Sequence, residues 1–364
     1  MEYLFGDVLE IKNGKNQKAV ENPEGMYPIY GSGGVIGRAD NYICEADTII
    51  IGRKGSINNP IYVGEPFWNV DTAFGLEANQ EVLLPRYLYY FCKFFDFERL
   101  NKAVTIPSLT KADLLKININ VPTLEKQKAI VEQLLGIDAI IYLRQEELQK
   151  LDDLIKARFV EMFGDIATGQ YKYETRRMGE VAKVGSSHRV FTTEFVDEGI
   201  PFYRGTEIGE LANGQKPSEP YYISKEHYNR LANDDTRPKV GDLLMPSICN
   251  KGQVWMVDTE EPFYYKDGRV LCISPNREIY DSRYLQYFMR VKTEVEYPKM
   301  GSGSTFSEFK IFLLKDFEVL TPPRDIQEEF SSFVEQVDKS KVAVQKALEK
   351  TQLLFESLMQ QYFG

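Results

Sequence analysis

The chain has 364 residues, of which 43% are hydrophobic and 27% are charged, values typical of a folded protein with two or three domains. The net charge of −10 argues against a uniformly basic nucleic-acid-binding surface, and residues 1–121 and 166–321 are each slightly acidic. No apolar run is long enough to span a membrane and the N-terminus lacks a signal-peptide pattern, so we expect a cytoplasmic protein.

Cysteine and histidine are too sparse to predict a metal site or a histidine-based catalytic triad. Only two histidines are present, and none of the four cysteines forms a C-x-x-C pair. The cysteines are therefore predicted to be free thiols in a reducing compartment. We expect no metal ion and no cofactor on this chain.

Residues 1–121 are predicted to form a mostly β domain. Short runs rich in Ile, Val and Tyr, separated by glycine and asparagine, occur at residues 8–11, 48–51, 61–63, 73–76 and 117–121. One helix is predicted over residues 85–100, because Leu88, Phe91, Cys92 and Phe95 fall on one helical face.

Residues 122–165 are predicted to form one long helix that follows Pro122. Arg144 and Arg158 interrupt a seam of apolar residues at heptad spacing. The seam consists of Ile130, Leu134, Ile137, Ile141, Leu148, Leu151, Ile155 and Met162. About 35 helical residues would give a rod of about 50 Å, and an apolar stripe of that length requires a partner.

Residues 166–321 repeat the plan of residues 1–121 with insertions. Residues 178–181 resemble residues 5–8, residues 241–245 resemble 46–50, and residues 283–288 resemble 86–91. The chain order is therefore domain, helix, domain, helix.

Residues 322–364 repeat the first helical segment at an offset of 200 residues without a gap. Pro322, Gln327 and Asp338 are among the residues identical to their counterparts, and an apolar seam with two polar interruptions recurs. We predict an α+β fold of two β-rich domains separated by two long antiparallel helices, which form a coiled-coil spacer in a pseudo-twofold repeat. The alternative is that each amphipathic helix packs only on its own domain.

Loops of the first domain supply most candidate contacts to a ligand. A glycine-rich turn allows close backbone approach, and cations or small hydroxyl groups suit phosphate oxygens or base edges. The candidates are Gly31, Ser32, Gly33, Arg53, Lys54, Ser56, Asn69, Asp71, Thr72, Ser108 and Lys111. The same residue types also serve as ordinary turn and capping residues, and that alternative stays open.

The second domain has its own candidate residues in similar loops. They are Arg204, Ser247, Lys251, Arg269, Ser302 and Ser304, and residues 301–305 are aligned here with residues 107–111. No catalytic constellation accompanies them, because the chain lacks an Asn-Pro-Pro-aromatic or Asp-Pro-Pro-Tyr tetrad, a nucleophile elbow and a metal-ligand cluster.

The alternating organisation resembles the DNA specificity subunits of type I restriction–modification systems over essentially the whole chain. The most specific parts are the helix entry at residues 122–127, its repeat at residues 322–327 and the Phe-Trp-Asn-Val-Asp-Thr-Ala stretch at residues 67–73. The glycine-rich first loop is similar to only some target domains of the family, and the second domain departs from it.

The resemblance implies a non-catalytic DNA reader. Residues 1–121 and 166–321 would be target recognition domains, each reading one half of a bipartite site, and the segments 122–165 and 322–364 would set the unread spacer. Two methyltransferase subunits that use S-adenosylmethionine would dock on the helices, and motor-nuclease subunits would be further partners. The rival hypotheses are a coiled-coil scaffold without DNA specificity and a stand-alone methyltransferase or nuclease with a divergent site.

Overall fold

The protein is described by a computed structural model that covers residues 1–101, 108–232, 234, 236–300 and 307–364. The chain forms two compact units. Unit 1 consists of Met1–Leu148 together with Ala343–Gly364, and unit 2 consists of Gln149–Val342. In the described parts of the chain, no helix has both the length and the apolar character that crossing a membrane would require.

The described residues of unit 1 form nine short strands and the start of a long helix. The strands are β1 Glu2–Leu4, β2 Leu9–Asn13, β3 Tyr27–Gly31, β4 Gly34–Ala39, β5 Thr48–Gly52, β6 Ile61–Val63, β7 Trp68–Asn69, β8 Ala73–Ala78 and β9 Asn118–Asn120. The helices are α1 Phe5–Val8, α2 Pro85–Phe94, α3 Lys111–Leu114 and α4 Leu124–Phe163, with a 3-10 turn at Phe97–Leu100. The predicted β segments are confirmed. The helix predicted over residues 85–100 begins at Pro85 as expected but ends at Phe94, and Phe97–Leu100 forms a separate 3-10 turn.

The strands of unit 1 form a four-stranded sheet in the order β2-β8-β5-β6, a three-stranded sheet β4-β3-β7 and the pair β1-β9. Every residue of β5 is buried, as expected for a continuous apolar strand in the middle of a core. α2 places Tyr87, Leu88 and Phe91 in this core. The sheet and α2 therefore fix where the loops after β5, β7 and β8 emerge.

The described residues of unit 2 form twelve strands, and six helices begin among them. The strands are β10 Gly164–Asp165, β11 Gln170–Tyr171, β12 Thr175–Arg177, β13 Ala182–Gly185, β14 Phe195–Val196, β15 Ile200–Tyr203, β16 Tyr221–Ile223, β17 Leu243–Pro246, β18 Trp255–Met256, β19 Tyr264–Tyr265, β20 Val270–Pro275 and β21 Glu318–Leu320. The helices are α5 Met178–Val181, α6 Gly205–Ala212, α7 Lys225–Leu231, α8 Ser282–Glu296, α9 Ile311–Asp316 and α10 Arg324–Phe363, with 3-10 turns at Thr192–Glu194 and Tyr297–Met300.

Unit 2 repeats the topology of unit 1. Its main sheet has the order β13-β20-β17-β18, β15 pairs in parallel with β19 as β3 does with β7, and β12 pairs with β21 as β1 does with β9. The insertion that lengthens the second domain includes α6 and α7, which follow β15 and β16. The predicted α+β class with two β-rich domains and two long helices is therefore confirmed.

One predicted alignment between the domains is wrong by one residue. Ile49 pairs with Leu76 in unit 1 and Leu243 pairs with Ile273 in unit 2, so Gly241 corresponds to Asp47 and not to residue 46. Both residues have positive φ, 61° for Asp47 and 84° for Gly241. The position before β5 or β17 requires a left-handed backbone, which glycine and aspartate tolerate better than most residues.

The two long helices have 40 residues each and pack antiparallel within each unit. In unit 1, the Tyr362 hydroxyl donates to Gln133 Oε1 at 2.6 Å, and Arg144 donates to Thr351 and to the Ala347 carbonyl. In unit 2, Lys341 donates to Asp152 at 2.6 Å. The polar interruptions of each predicted seam therefore meet a polar partner on the other helix, an arrangement that fixes the register of a coiled coil.

A buried glutamine joins each long helix to its β-rich domain. Gln127 Nε2 donates to the carbonyls of Val82 and Pro122, and its Oε1 accepts from the Leu84 N–H at 2.8 Å. Gln327 makes the equivalent bonds to Ile279, Pro322 and Asp281. Both glutamines are 0% exposed. The glutamine that the sequence repeats at an offset of 200 thus holds the start of the long helix against the loop before α2 or α8.

Candidate nucleic-acid interface

Several loops of unit 1 meet at the end of β5. The Arg53 N–H donates to the Thr72 carbonyl at 2.8 Å, and the Leu109 N–H donates to the Arg53 carbonyl at 3.0 Å. The glycine-rich loop lies beside them, because a Cβ added to Gly52 would be 3.2 Å from Ser32 Cβ. The structure therefore brings together candidate loops that lie far apart in the sequence.

The exposed side chains at this loop cluster are mostly polar. Gly33, Arg53, Lys54, Ser56, Asp71 and Thr72 are exposed, and Ser32 and Ser108 are half-buried. The Arg53 guanidinium lies 5.7 Å from the centroid of the Phe74 ring, a cation–π distance. Lys111 donates from Nζ to the Ile11 carbonyl at 2.7 Å, so part of its hydrogen-bonding capacity is used inside the unit.

The prediction that the Asn69 side chain contacts a ligand is wrong for this structure. Asn69 lies in β7 next to β3, its side chain is 0% exposed, and its amide has no hydrogen-bond partner among the described residues. The parallel pairing of β7 with β3 turns this side chain inward. Gly31 is also buried, at the end of β3, so only the following residues of the glycine-rich turn reach solvent.

Sequence reasoning missed Lys15, an exposed cation at the same loop cluster. Its N–H donates to the Asn69 carbonyl at 2.8 Å, and its carbonyl accepts from Trp68 Nε1 at 3.0 Å. The preceding Gly14 allows this approach, since a Cβ there would lie 1.7 Å from the Val70 carbonyl oxygen. The Asn-Gly-Lys sequence after β2 is the signal that could have identified it.

In unit 2, backbone hydrogen bonds connect three segments at the end of β17 in the same way, and this arrangement forms a backbone frame common to both units. The Ser247 N–H donates to the Arg269 carbonyl at 2.8 Å, and the Phe309 N–H donates to the Ser247 carbonyl at 2.7 Å. Ser247, Arg269 and Phe309 therefore correspond to Arg53, Thr72 and Leu109. The predicted alignment of residues 301–305 with 107–111 is wrong, because the counterparts of residues 108–111 are residues 308–311.

Among the candidates of unit 2, Ser302 and Ser304 lie outside the described residues. Ser247 is only 2% exposed, so the prediction that its side chain contacts a ligand is wrong; the backbone bonds on both sides of Ser247 hold the side chain inside. Lys251 and Arg269 are exposed. Arg204, Lys266 and Arg269 line one cleft with Ser247.

Two of the candidate cations of unit 2, Arg269 and Arg204, are paired with carboxylates. Arg269 forms an ion pair with Glu308, and Arg204 pairs with Glu207 while its guanidinium lies 4.3 Å from the Tyr221 ring centroid. Burial of Glu207 by itself would raise the pKa of this carboxyl, but hydrogen bonds from the Arg204 side chain and backbone lower that pKa overall. Arg204 is thus held in a defined position by a charged partner that is 2% exposed.

All four cysteines are buried free thiols, as predicted. Burial raises the pKa of Cys44 and Cys272 to about 12 and that of Cys249 to about 11. These thiols therefore lack the exposed thiolate character of a cysteine nucleophile.

The sequence matches the family model for the type I restriction modification DNA specificity domain over residues 1–153 and 171–353. The chain belongs to this family. A type I restriction enzyme specificity subunit of Haemophilus influenzae is 25% identical over 358 residues, which cover 93% of this chain and 86% of that protein. The MjaIX specificity subunit of Methanocaldococcus jannaschii is 22% identical, over 82% of this chain and 71% of that protein.

The fold is also that of solved specificity subunits. The crystal structure of the S subunit of a type I restriction–modification system from M. genitalium aligns with a TM-score of 0.63 at 17% identity, covering 100% of this chain and 96% of that one. A chain from a structural study of complex assembly in the type I system aligns with a TM-score of 0.59 at 17% identity, over 100% and 97% of the two chains.

The family membership decides between the hypotheses raised by the sequence. This protein is a DNA specificity subunit of a type I restriction–modification system, a role that is non-catalytic in itself. The scaffold hypothesis without DNA specificity receives no support. The loop clusters at the ends of β5 and β17 are thus candidate DNA-reading surfaces.

Proposed function

We propose that each β-rich domain of this specificity subunit reads one half of a bipartite DNA target. The main supporting observation is that the same set of backbone hydrogen bonds presents different side chains in the two units. Arg53 and Thr72 of unit 1 are replaced by Ser247 and Arg269 in unit 2, on strands of the same order. A shared frame that exposes Arg53 and Thr72 in unit 1 but Arg269 alone of this pair of positions in unit 2 suits two surfaces that recognise different base sequences in the major groove.

We further propose that α4 and α10 set the length of the unread spacer between the two half-sites. The proposal is supported by the length of the helices, by their antiparallel packing within each unit and by the Gln127 and Gln327 joints. A buried, fully bonded side chain anchors the start of each long helix to its domain. A change in helix length should therefore change the position of the attached domain.

The proposed partners are two methyltransferase subunits that bind S-adenosylmethionine, with motor-nuclease subunits as further members of a cytoplasmic complex. Exposed apolar side chains on the helices are suited to such docking: Leu143 is 60% exposed and Leu353 is 64% exposed. Basic partner subunits would also offset the net charge of −10 when the complex holds DNA.

The first test is a genome-wide map of adenine methylation in cells with and without this gene. The expected result is the loss of one motif with two short halves around a fixed gap. Replacing residues 1–121 with the corresponding domain of another family member should change one half and leave the other intact. If no motif disappears while the methyltransferase is expressed, the proposal is wrong.

The spacer is tested by inserting seven residues after Leu148 in α4 and seven after Val342 in α10. Seven residues keep the heptad seam in phase and add about 10.5 Å of helix. At about 3.4 Å per base pair, the unread gap should lengthen by about three base pairs. Insertion in one helix alone is the control and should disrupt methylation, because it shifts the two seams out of register. An unchanged gap after the double insertion would contradict the proposal that the two helices set the spacer length.

A further inference from the structure

The ion pair between Arg269 and Glu308 lies in the frame that carries the candidate reading surface of unit 2. Arg269 is 56% exposed and Glu308 is 28% exposed. The Arg269 carbonyl accepts from Ser247, and Phe309, the residue after Glu308, donates to Ser247. The Arg269 and Glu308 side chains therefore extend from the two segments that flank the end of β17.

The backbone that carries this pair is held rigidly. Ser186 Oγ accepts from the Gly268 N–H at 2.9 Å and donates to the Val270 carbonyl at 2.8 Å, so both neighbours of Arg269 are fixed. Phe309 is 1% exposed and contacts the ring of Phe317 at a centroid distance of 5.6 Å. A pair with so little backbone freedom presents its polar atoms in one arrangement before any ligand binds.

Positive side chains surround the pair. Arg204 and Lys266 line the cleft on one side of Arg269. Arg189, Lys310 and Lys315 line the cleft on the other side, where Asp267 also lies and pairs with Arg189 at 3.2 Å. Such flanking cations suit the phosphates of a duplex. Arg269 offsets the charge of Glu308 only in part on a surface that faces phosphates, and a hydrogen-bond donor of the ligand would give this carboxylate a further favourable partner.

The major groove offers such a donor at cytosine. The 4-amino group of cytosine donates to Glu or Asp, and O6 and N7 of guanine accept from Arg, so one G·C pair presents partners for both side chains. Unit 1 has Thr72 and Ser108 at the equivalent positions, which shows that the backbone frame forms without the ion pair.

We propose that Arg269 and Glu308 together read a G·C base pair in the half-site recognised by unit 2, with Arg269 donating to guanine and Glu308 accepting from cytosine. This inference rests on the proposed function, because it assigns base specificity to the same surface. It makes the two residues specificity determinants and distinguishes their role from that of the flanking cations, which would contact phosphates.

The test installs the residues of unit 1 in unit 2, as Arg269→Thr with Glu308→Ser in the full chain expressed with its methyltransferase subunits. Methylation is mapped by single-molecule sequencing. One invariant C·G position of the unit 2 half-site should become degenerate, with a roughly tenfold to hundredfold loss of discrimination. The other half-site should not change. The control is Arg177→Thr with Asp316→Ser, which removes an exposed ion pair of the same unit at 3.7 Å and should leave the motif intact.

A second measurement uses only the wild-type complex and therefore does not depend on the folding of a variant. Target duplexes carry 7-deazaguanine or 2-pyrimidinone, which remove guanine N7 or the cytosine amino group at the implicated pair. Each replacement should weaken binding roughly tenfold relative to the same replacement in the unread gap.

The possible outcomes separate the two proposals. A wild-type motif whose unit 2 half contains no invariant G·C pair, a motif unchanged in the double variant, or full affinity for both modified duplexes would overturn the role of Arg269 and Glu308. A wild-type chain that directs no bipartite motif at all would instead overturn the proposed function.

Discussion

Unit 1 and unit 2 share their buried framework and differ where side chains reach solvent. The sheets have the same strand order, and Gln127 and Gln327 make the same three hydrogen bonds. At the strand ends, an exposed Arg53 in one unit corresponds to a buried Ser247 in the other. Burial and backbone hydrogen bonds thus preserve the frame in both units, while the set of side chains that reaches solvent differs and can recognise different bases.

The largest expected effect concerns the aromatic residue that ends each long helix. Phe163 is 0% exposed and packs on Tyr284 at a centroid distance of 4.9 Å, whereas Phe363 is only partly buried against Tyr87 at 5.1 Å. Phe163→Ala should lower the free energy of unfolding of unit 2 by about 3–5 kcal/mol. Phe363→Ala should cost unit 1 roughly 2 kcal/mol, because less apolar area is lost.

The measurement is urea unfolding with a probe specific to each unit, because a chain of two units does not unfold as one two-state system. The chain has two tryptophans, Trp68 in unit 1 and Trp255 in unit 2. Fluorescence in a Trp68→Phe background reports unit 2, and a Trp255→Phe background reports unit 1. Equal losses for the two variants would contradict the difference in burial.

The second prediction tests whether the two glutamine joints are equivalent. Gln127→Ala and Gln327→Ala should each cost the affected unit about 2–4 kcal/mol, because three backbone groups lose a partner in a buried site. Gln145→Ala and Gln345→Ala are matched controls, since these exposed glutamines are also repeated at an offset of 200. The controls should stay within about 0.5 kcal/mol of wild type. A clear loss in only one unit would show that the joints are not equivalent.

The third prediction addresses the exchanged residues at the strand ends. Arg53→Ala should reduce the dependence of log Kd on log salt concentration by about 0.9, the value for one phosphate contact. Ser247→Ala at the equivalent position of unit 2 should leave the salt dependence unchanged, because that side chain is buried. Titration of the complete complex with target DNA at several salt concentrations measures both values. An unchanged salt dependence for Arg53→Ala would show that Arg53 does not contact a phosphate.

The smallest expected effect is a difference in pH dependence. Burial raises the pKa of Asp338 despite the opposing charges of Lys341 and Arg283. The folded state therefore binds this proton more tightly than the unfolded chain, and the stabilisation from protonation is lost as the pH rises through the raised pKa. As the pH falls from neutral toward about 3.9, the usual value for Asp, this carboxyl favours the folded state.

Asp338→Asn removes that contribution, so the Tm of unit 2 should fall more on acidification in the variant than in wild type. Asp153→Asn, which removes a charge from an exposed position of α4, should follow the wild-type profile. Thermal unfolding between neutral and mildly acidic pH provides the comparison. A parallel profile for Asp338→Asn would show that Asp338 titrates alike in the folded and unfolded chain.

The helices could be predicted closely from the sequence, and the loop contacts could not. The seam of α4 and α10 follows from spacing along one chain segment, and the duplicated glutamine was visible as an identity at the offset of 200. Asn69 and Ser247 show why the loop contacts could not be predicted from the sequence. Both are polar residues in candidate loops, but strand pairing turns the first inward and hydrogen bonds from two distant segments enclose the second.

The α+β class, the internal repeat, the heptad seams and the free cysteines could be predicted from the sequence, because each depends on local periodicity, composition or identity at a fixed offset. Only the folded structure reveals that residues 53, 72 and 109 meet at one strand end, that Lys15 joins them and that Glu308 faces Arg269. These contacts depend on sheet register, which is set by the packing of the whole core and is not encoded in the spacing of the contacting residues.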